Sequence, residues 1–120
     1  DSRLRPSPKR LLAHKGQRVL LMNVEALSTV IAARDLCLQF LEADNVMVVI
    51  DESTVVKNHK AKRTKFVVEQ LAPLARRRRV LSGLPTPKSP LDLYSQCAFL
   101  DRSILNFKDY NQFFYRYAIK

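Results

Sequence analysis

Hydrophobic residues recur along the chain at the spacing of amphipathic helices. The first stripe repeats every three or four positions and consists of Ala33, Leu36, Cys37, Phe40 and Leu41. This spacing predicts a helix with one apolar face that ends near Asp44-Asn45. A second stripe consists of Thr64, Val67, Val68, Leu71 and Ala75, and Pro73 within it is expected to kink or shorten the last turn. Ser89 and Pro90 are typical of an N-cap and a first helical position, and a final aromatic helix is predicted over residues 108–119.

Three apolar runs are too short for helices and have the length of strands. They cover residues 18–23 (RVLLMN), residues 46–50 (VMVVI) and the apolar residues of RRRRVLSG, which begins at Arg76. The second run is apolar on both faces, which is typical of a central parallel strand covered by helices on each side. Strands that alternate with helices predict an α/β layer fold with a short parallel sheet of about three strands. A sheet this small leaves an edge bare, so self-association through that edge is expected.

The chain is short and strongly basic. Its 120 residues, 47% of them hydrophobic, are enough for one domain, and 21 Lys and Arg against 11 Asp and Glu leave a net charge of +10. This charge favours a polyanionic partner, with nucleic acid first, although a solvated basic surface would give the same total. Residues 1–17, rich in basic side chains and proline, are predicted to be a loosely ordered N-terminal segment.

Cysteines, histidines and apolar runs argue against several classes of protein. Cys37 and Cys97 lie far apart in apolar patterns, which indicates core thiols in a reducing compartment. His14 and His59 stand in basic surroundings, so a metal site is not expected there. No apolar run reaches the length of a membrane span, and the N-terminal residues lack the apolar core of a signal peptide. The chain is therefore expected to be cytoplasmic, without a membrane partner.

Two adjacent carboxylates follow the apolar run at residues 46–50. Asp51 and Glu52 stand at the carboxyl end of this predicted strand, in the sequence VVIDEST. In an open parallel sheet, ligands bind beyond the carboxyl ends of the strands. A carboxylate there suits a hard cation such as Mg2+, held usually through water, and its neighbour suits the orientation of an attacking water. The pattern is the Walker B form of nucleotide hydrolases, although a solvated acidic turn would also end a strand in this way.

Several motifs in the same order resemble the first RecA-like domain of superfamily 2 helicases, in particular SNF2-like DNA translocases and phage helicases. After the Asp-Glu pair, Val56-Lys57-Asn58 is similar to the family's IKN loop. Next, SGLP at residues 82–85 and the following KSPLDLYSQCAFLD are similar to the family's Ser/Thr-Gly-Thr-Pro motif and its helix. VLLMNVEALS also resembles the family's preceding strand and turn, so the resemblance covers residues 18–101. It implies that residues 18–120 are the C-terminal part of a RecA-like motor domain, a partial three-layer fold of the P-loop NTPase type.

The resemblance also implies a role for each matching residue. Asp51 would coordinate the Mg2+ of bound ATP through water, and Glu52 would position the hydrolytic water. Thr54 stands where the family has His, the residue that relays the nucleotide state. The loop that would couple hydrolysis to movement on DNA consists of Ser82, Gly83, Leu84 and Pro85. Because Leu84 stands where the family has Thr, the departures at Thr54 and Leu84 concern the coupling more than the metal site.

Basic side chains after the acidic pair have two explanations. They would either contact phosphates or keep a surface helix in solution, and the candidates for nucleic-acid binding are Lys57, Asn58, Lys60, Lys62, Arg63 and Lys65. Alternate residues of a strand face opposite sides, so Arg76 to Arg79 cannot all meet one partner and are expected to form a solvated turn. The helical setting of the C-terminal aromatic residues favours packing over base stacking.

The sequence contains no GxxxxGK(S/T) phosphate-binding loop, and its only glycines are Gly16 and Gly83. In the resembled family that loop lies upstream and a second RecA-like domain lies downstream. The chain is therefore expected to be part of a larger motor, in a phage or its bacterial host. ATP and Mg2+ are the expected cofactors of the complete enzyme, and DNA and the remaining helicase domains are its expected partners. Alone, the chain is expected to bind ATP weakly and not to hydrolyse it.

Two other functions stay open beside an ATP-dependent DNA helicase or translocase. A basic α/β module that binds nucleic acid without catalysis would leave the Asp-Glu pair vestigial, and the departures at Thr54 and Leu84 leave room for it. A Mg2+-dependent nuclease would need a third acidic ligand and a catalytic lysine, and the sequence places neither convincingly near Asp51.

Overall fold

The computed structural model describes residues 7–118 of the chain. Residues 1–6 of the predicted N-terminal segment lie outside this range, and its remainder contains a short helix, α1 (Pro8–Ala13). Ser7 caps α1, because its hydroxyl oxygen accepts a hydrogen bond from the Arg10 backbone N–H at 3.2 Å. A four-residue helix, α2 (Ala26–Thr29), then precedes the long helix α3 (Ile31–Ala43).

Helix α3 confirms the prediction from the first hydrophobic stripe. Cys37, Phe40 and Leu41 are its buried residues, and its C-terminal cap is Asp44. The Cys37 thiol lies 3.5 Å from the sulfur atom of Met22. Burial raises the pKa of this thiol, so Cys37 is a protonated core residue at neutral pH.

Two parallel strands form the sheet within residues 7–118, where the sequence predicted about three. These are β1 (Met47–Ile50) and β2 (Arg77–Val80), with Ile50 opposite Val80 in the register. The architecture is α/β with a short parallel sheet and flanking helices, which is compatible with a partial RecA-like fold.

Residues 18–23, the predicted first strand, form no strand. Their side chains still alternate: Val19 is 75% exposed and Leu21 is 89% exposed, whereas Leu20 and Met22 pack against the core. A strand also needs a hydrogen-bonded neighbour, and the sheet of the described residues consists of β1 and β2 alone. The segment therefore has the side-chain alternation of a strand without the pairing, and the prediction of a strand there is wrong.

One face of the sheet is left uncovered by the described residues. Met47 is 49% exposed and Val49 is 44% exposed, whereas Ile50 is buried. The expectation that helices cover this strand on both sides is therefore wrong for residues 7–118.

Three of the four consecutive arginines belong to β2 itself, not to a solvated turn. Arg77 and Arg79 are exposed, next to the uncovered apolar residues of β1. Arg78 is half-buried, and its guanidinium donates a hydrogen bond to the Ala72 carbonyl oxygen at 3.3 Å. The alternation confirms that these arginines do not all face one side.

The second hydrophobic stripe lies on one continuous helical run. It comprises α4 (Lys62–Lys65), a π-helical turn (Phe66–Leu71) and α5 (Ala72–Leu74). The π turn widens the helix, because the Ala72 N–H bonds to the Val67 carbonyl five residues earlier. The run ends one residue beyond Pro73, as expected for a proline in the last turn.

A capping box begins the next helix, as predicted for Ser89. The Ser89 side chain accepts a hydrogen bond from the backbone of a 3-10 turn (Pro90–Asp92), and the Asp92 side chain accepts one from the Ser89 backbone. Helix α6 (Leu93–Leu100) follows this turn. The last helix, α7 (Tyr110–Tyr117), packs through contacts among the rings of Tyr94, Phe107, Tyr110, Phe113 and Tyr117. None of the helices in the described part of the chain has the length and apolar character to cross a bilayer.

Candidate functional site

Two loops leave the same end of the sheet. We call Asp51 and Glu52 the acidic turn, and Ser82 to Pro85 the SGLP loop. The Leu81 backbone N–H donates to the Ile50 carbonyl oxygen at 2.9 Å, and the Ser53 N–H donates to the Leu81 carbonyl oxygen at 2.9 Å. Parallel strands in register therefore place the two loops side by side at their carboxyl ends.

The acidic turn presents two carboxylates in an unusual backbone conformation. Asp51 and Glu52 are both exposed, and Asp51 Oδ1 accepts a hydrogen bond from the Glu52 N–H at 3.0 Å. Glu52 has φ 49° and ψ 59°, in the left-handed region that few residues other than glycine adopt. Such a backbone costs on the order of 1 to 3 kcal/mol and is frequent at functional sites.

Ser53 links the acidic turn to the rest of the site. Ser53 is fully buried, and its hydroxyl donates to Gln96 Oε1 at 2.5 Å. Thr54 is half-buried in the 3-10 turn that follows (Ser53–Val56). Gln96 was not among the candidates from the sequence. The signal that marks it is a glutamine in the otherwise mostly apolar helix LYSQCAFL.

The SGLP loop is open on its outer side. Ser82 Oγ accepts a hydrogen bond from the Leu84 N–H at 3.2 Å, and Leu84 is 60% exposed. A Cβ added at Gly83 would have no atom within 4 Å. Neither backbone geometry nor space inside the described chain requires glycine at this position, so the loop leaves room for a close approach from outside.

A magnesium ion at this site would need ligands from a second molecule in addition to those of the protein. Residues 7–118 contain no group of three or more His, Cys, Asp or Glu side chains able to hold a metal. Mg2+ usually keeps several waters and is held by one or two carboxylates together with phosphate oxygens. Asp51 fits this requirement, because its side chain is exposed at the strand end and only its Oδ1 is engaged by the Glu52 N–H.

Two of the basic side chains that were predicted to bind DNA contact other groups of the chain instead. Lys57 is half-buried, and its Nζ lies 4.0 Å from Asp92 Oδ2. The Arg63 guanidinium donates through Nε to the Val55 carbonyl oxygen at 2.7 Å. These contacts hold the segment before α4 (residues 57–61, the basic loop) against its neighbours and leave these two side chains less accessible to phosphate.

The remaining candidates form an exposed group. Asn58 Oδ1 accepts a hydrogen bond from the Lys60 N–H at 3.0 Å, which forms the turn before α4. The exposed lysines of this segment are Lys60, Lys62 and Lys65. They are the side chains of the predicted set that a phosphate backbone would meet first.

Comparison with known proteins gives one family. The family model of the SNF2-related domain matches residues 8–119 of the chain. The SWI/SNF-related matrix-associated actin-dependent regulator of chromatin subfamily A-like protein 1 of Drosophila melanogaster is 36% identical over 63 residues. That match covers 52% of this chain, and the chain spans only 8% of the length of that relative. No solved structure matches the chain. Because the family match covers nearly the whole chain, the protein belongs to the SNF2-related domain family.

Proposed function

We propose that this chain is part of an ATP-dependent DNA translocase of the SNF2 family, with Asp51 and Glu52 at the hydrolytic centre of the complete enzyme. One observation carries the proposal. The acidic turn and the SGLP loop, which the resemblance assigns to hydrolysis and its coupling, are joined through the backbone of Ser53 and Leu81. Membership of the SNF2-related domain family supports the same function.

The acidic turn would divide two tasks between its carboxylates. Asp51 would hold Mg2+ through water, and Glu52 would orient the water that attacks the terminal phosphate of ATP. When bound, Mg2+ would neutralise charge that develops on the phosphate oxygens. The exposure of both side chains and the left-handed backbone of Glu52 support this division, because they present both carboxylates at the strand end.

Coupling to DNA would depend on the SGLP loop and on the exposed lysines. The proposed phosphate contacts are Lys60, Lys62 and Lys65, in a chain whose net charge is +10. Thr54 and Leu84, which replace the usual His and Thr of the resembled family, would have a smaller part in the coupling. The name of the Drosophila relative connects that protein with chromatin, and we propose DNA as the partner of this chain.

Several finer assignments are part of the same proposal. The subgroup would be the phage-type DNA helicases, acting in the cytoplasm of a bacterial cell, although the matching relative comes from an insect. The remaining helicase domains would be its partners, and tight binding of ATP would require them. The isolated chain would self-associate through the open edges of its two-stranded sheet.

ATP hydrolysis by the complete protein tests the proposal. The rate would be measured with and without DNA for the longest natural open reading frame that contains this chain, beside its Glu52→Gln variant. We expect DNA-stimulated hydrolysis that falls by about a hundredfold or more in the variant, because Gln cannot act as a base toward water. The matched control is Glu42→Gln, which changes an exposed carboxylate on α3 and is expected to leave the rate unchanged.

Two results would contradict the proposed translocase function. Equal rates in the wild type and in Glu52→Gln would remove the acidic turn from the chemistry. An absence of hydrolysis combined with salt-sensitive DNA binding would instead identify a non-catalytic nucleic-acid-binding module with a vestigial Asp-Glu pair.

A further inference from the structure

Gln96 bonds to Ser53, which directly follows the acidic turn, and to Pro85 of the SGLP loop. Its side chain is 2% exposed and is carried by α6. The Oε1 atom accepts the hydroxyl hydrogen of Ser53 at 2.5 Å. The Nε2 group donates to the Pro85 carbonyl oxygen at 2.8 Å and to the Asp92 carbonyl oxygen at 2.8 Å. One buried amide thus joins Ser53, next to the acidic turn, to the SGLP loop and to the start of α6.

The chemistry of the three bonds requires an amide of this length. A glutamine side chain has one carbonyl oxygen and two N–H groups, and here the oxygen and both N–H groups have partners. Glutamate at this position would still accept from Ser53, but it would face two carbonyl oxygens without a hydrogen to donate. Leucine would remove all three bonds. Because the group is buried, each unmade bond would leave a polar atom without water to replace its partner.

The bonds connect positions that the proposed reaction would need to move together. Ser53 directly follows Glu52, and both its N–H and its hydroxyl are anchored, to Leu81 and to Gln96 respectively. Pro85 is the last residue of the SGLP loop. A displacement of that loop would move the Gln96 amide, which is bonded to Pro85. Through the bond to Ser53, it would also move the backbone that sets the direction of the Glu52 carboxylate.

We propose that Gln96 is a positioning residue that couples the acidic turn to the SGLP loop, so that the DNA-linked state of the loop is transmitted to Glu52 through Ser53. This inference rests on the proposed function. It assigns the link between the loops to a glutamine of α6 and to Ser53, beside Thr54, the position to which the family resemblance gives the relay. Gln96 acts through its neighbours and does not touch nucleotide.

Ser53→Ala and Gln96→Leu in the complete protein test this role, alone and combined. The readouts are the factor by which DNA stimulates ATP hydrolysis, the KM for ATP and the Tm. We expect each single variant to lower the stimulation factor by about tenfold, with little change in the KM for ATP. Because the Ser53 hydroxyl acts through Gln96, the double variant is expected to have the same stimulation factor as Gln96→Leu alone.

Two control variants match these changes. Gln39→Leu replaces an exposed glutamine on α3, and Ser95→Ala replaces a serine of α6 that is 2% exposed. Within residues 7–118, neither side chain belongs to the set of bonds that joins the loops. Both controls are expected to keep the wild-type stimulation factor.

The outcomes separate this inference from the proposed function. If Glu52→Gln abolishes hydrolysis but Ser53→Ala keeps the wild-type stimulation factor, the motor stands and the role of Gln96 is wrong. Equal losses of basal and stimulated rates would also overturn it, since that result is expected of a purely structural residue. If Gln96→Leu does not fold, Ser53→Ala alone decides. A wild-type protein that hydrolyses no ATP would overturn the proposed function, and this role with it.

Discussion

Lys57 Nζ lies 4.0 Å from Asp92 Oδ2, which ties the basic loop after the acidic turn to the start of α6. The same carboxylate oxygen accepts the backbone N–H of Lys88 at 2.9 Å and that of Ser89 at 3.3 Å. Asp92 therefore caps the turn before α6 and anchors the basic loop. The ion pair is partly exposed, so its own contribution to stability is small compared with the capping bonds.

Substitution of Asp92 is expected to lower stability more than substitution of Lys57. Asp92→Ala removes the capping bonds and the ion pair, so we expect a loss of about 1 to 2 kcal/mol in the free energy of unfolding. Lys57→Ala removes only the ion pair and is expected to cost less than about 1 kcal/mol. Urea unfolding measures both, with Asp35→Ala on the exposed face of α3 as the control. Equal losses in the two variants would show that the pair, not the cap, is the main contribution.

DNA binding by the complete protein is expected to depend on Lys62 more than on Lys57. Lys62 is exposed, whereas Lys57 is held near Asp92. Because Lys62→Ala removes a cation that would meet phosphate, we expect it to weaken binding to all sequences and to reduce the slope of log affinity against log salt concentration by about one. Lys57→Ala is expected to leave that slope nearly unchanged. A larger slope change in Lys57→Ala would mean that DNA displaces Asp92 from this lysine.

The backbone of Glu52 is expected to favour glycine for folding and glutamate for activity. Glu52→Gly relieves the left-handed conformation at φ 49°, which offsets the entropy that glycine loses on folding. We expect the free energy of unfolding to stay unchanged or to rise by up to about 1 kcal/mol. ATP hydrolysis by the complete protein is expected to be lost in the same variant. A destabilised Glu52→Gly protein would show that the glutamate side chain contributes to folding.

A single substitution at Thr64 is expected to raise the stability of the fold. It is 1% exposed, and within residues 7–118 its hydroxyl oxygen has no hydrogen-bond partner. Thr64→Val keeps the shape and removes the unpaired hydroxyl, so we expect the free energy of unfolding to rise by about 1 kcal/mol. Thr64→Ser keeps the hydroxyl and removes a buried methyl group, which is expected to cost about 1 kcal/mol. A loss of stability in Thr64→Val would indicate that an ordered water bonds to this hydroxyl.

His59 is expected to make stability depend on pH. Its ring stacks on Tyr110, with 3.5 Å between ring centroids and 18° between planes. Burial, followed by the charges of Lys60 and Lys65, lowers the pKa of His59. The unfolded chain, with a histidine pKa of about 6.5, therefore binds more protons than the folded chain just below that pH. The contribution of His59 is fully present above about pH 6.5 and is lost as the pH falls toward the lowered pKa.

Thermal unfolding at pH 7.5 and at pH 5.5 measures this effect. His59→Phe keeps an aromatic ring against Tyr110 and removes the titration, so its Tm is expected to fall less between the two pH values than the wild-type Tm. His14→Phe changes an exposed histidine elsewhere in the chain and serves as the control for the substitution itself. The three proteins contain the same carboxylates, so a smaller fall in His59→Phe is assigned to His59. An identical fall in His59→Phe would contradict the role of this ring.

Local patterns in the sequence predicted the elements whose causes are local. The spacing of apolar residues identified α3 and the region of its end, and the residue types Ser89 and Pro90 identified the start of the α6 region. Helix periodicity and capping depend on residues within one or two turns, so neighbours in the sequence are sufficient to reveal them. The acidic turn was also identified, because a carboxylate pair after an apolar strand is a local signal.

Long-range contacts, by contrast, were decided only by the tertiary structure. The Ser53 hydroxyl and the Gln96 amide are separated by 43 residues, and residues 18–23 have the side-chain alternation of a strand without its pairing. The exposure of one sheet face and the engagement of Lys57 by Asp92 also depend on which distant segments meet. By itself the sequence determined the elements and the chemical groups at the strand ends. Their connections depend on hydrogen bonds and burial across the fold, which no periodicity along the chain encodes.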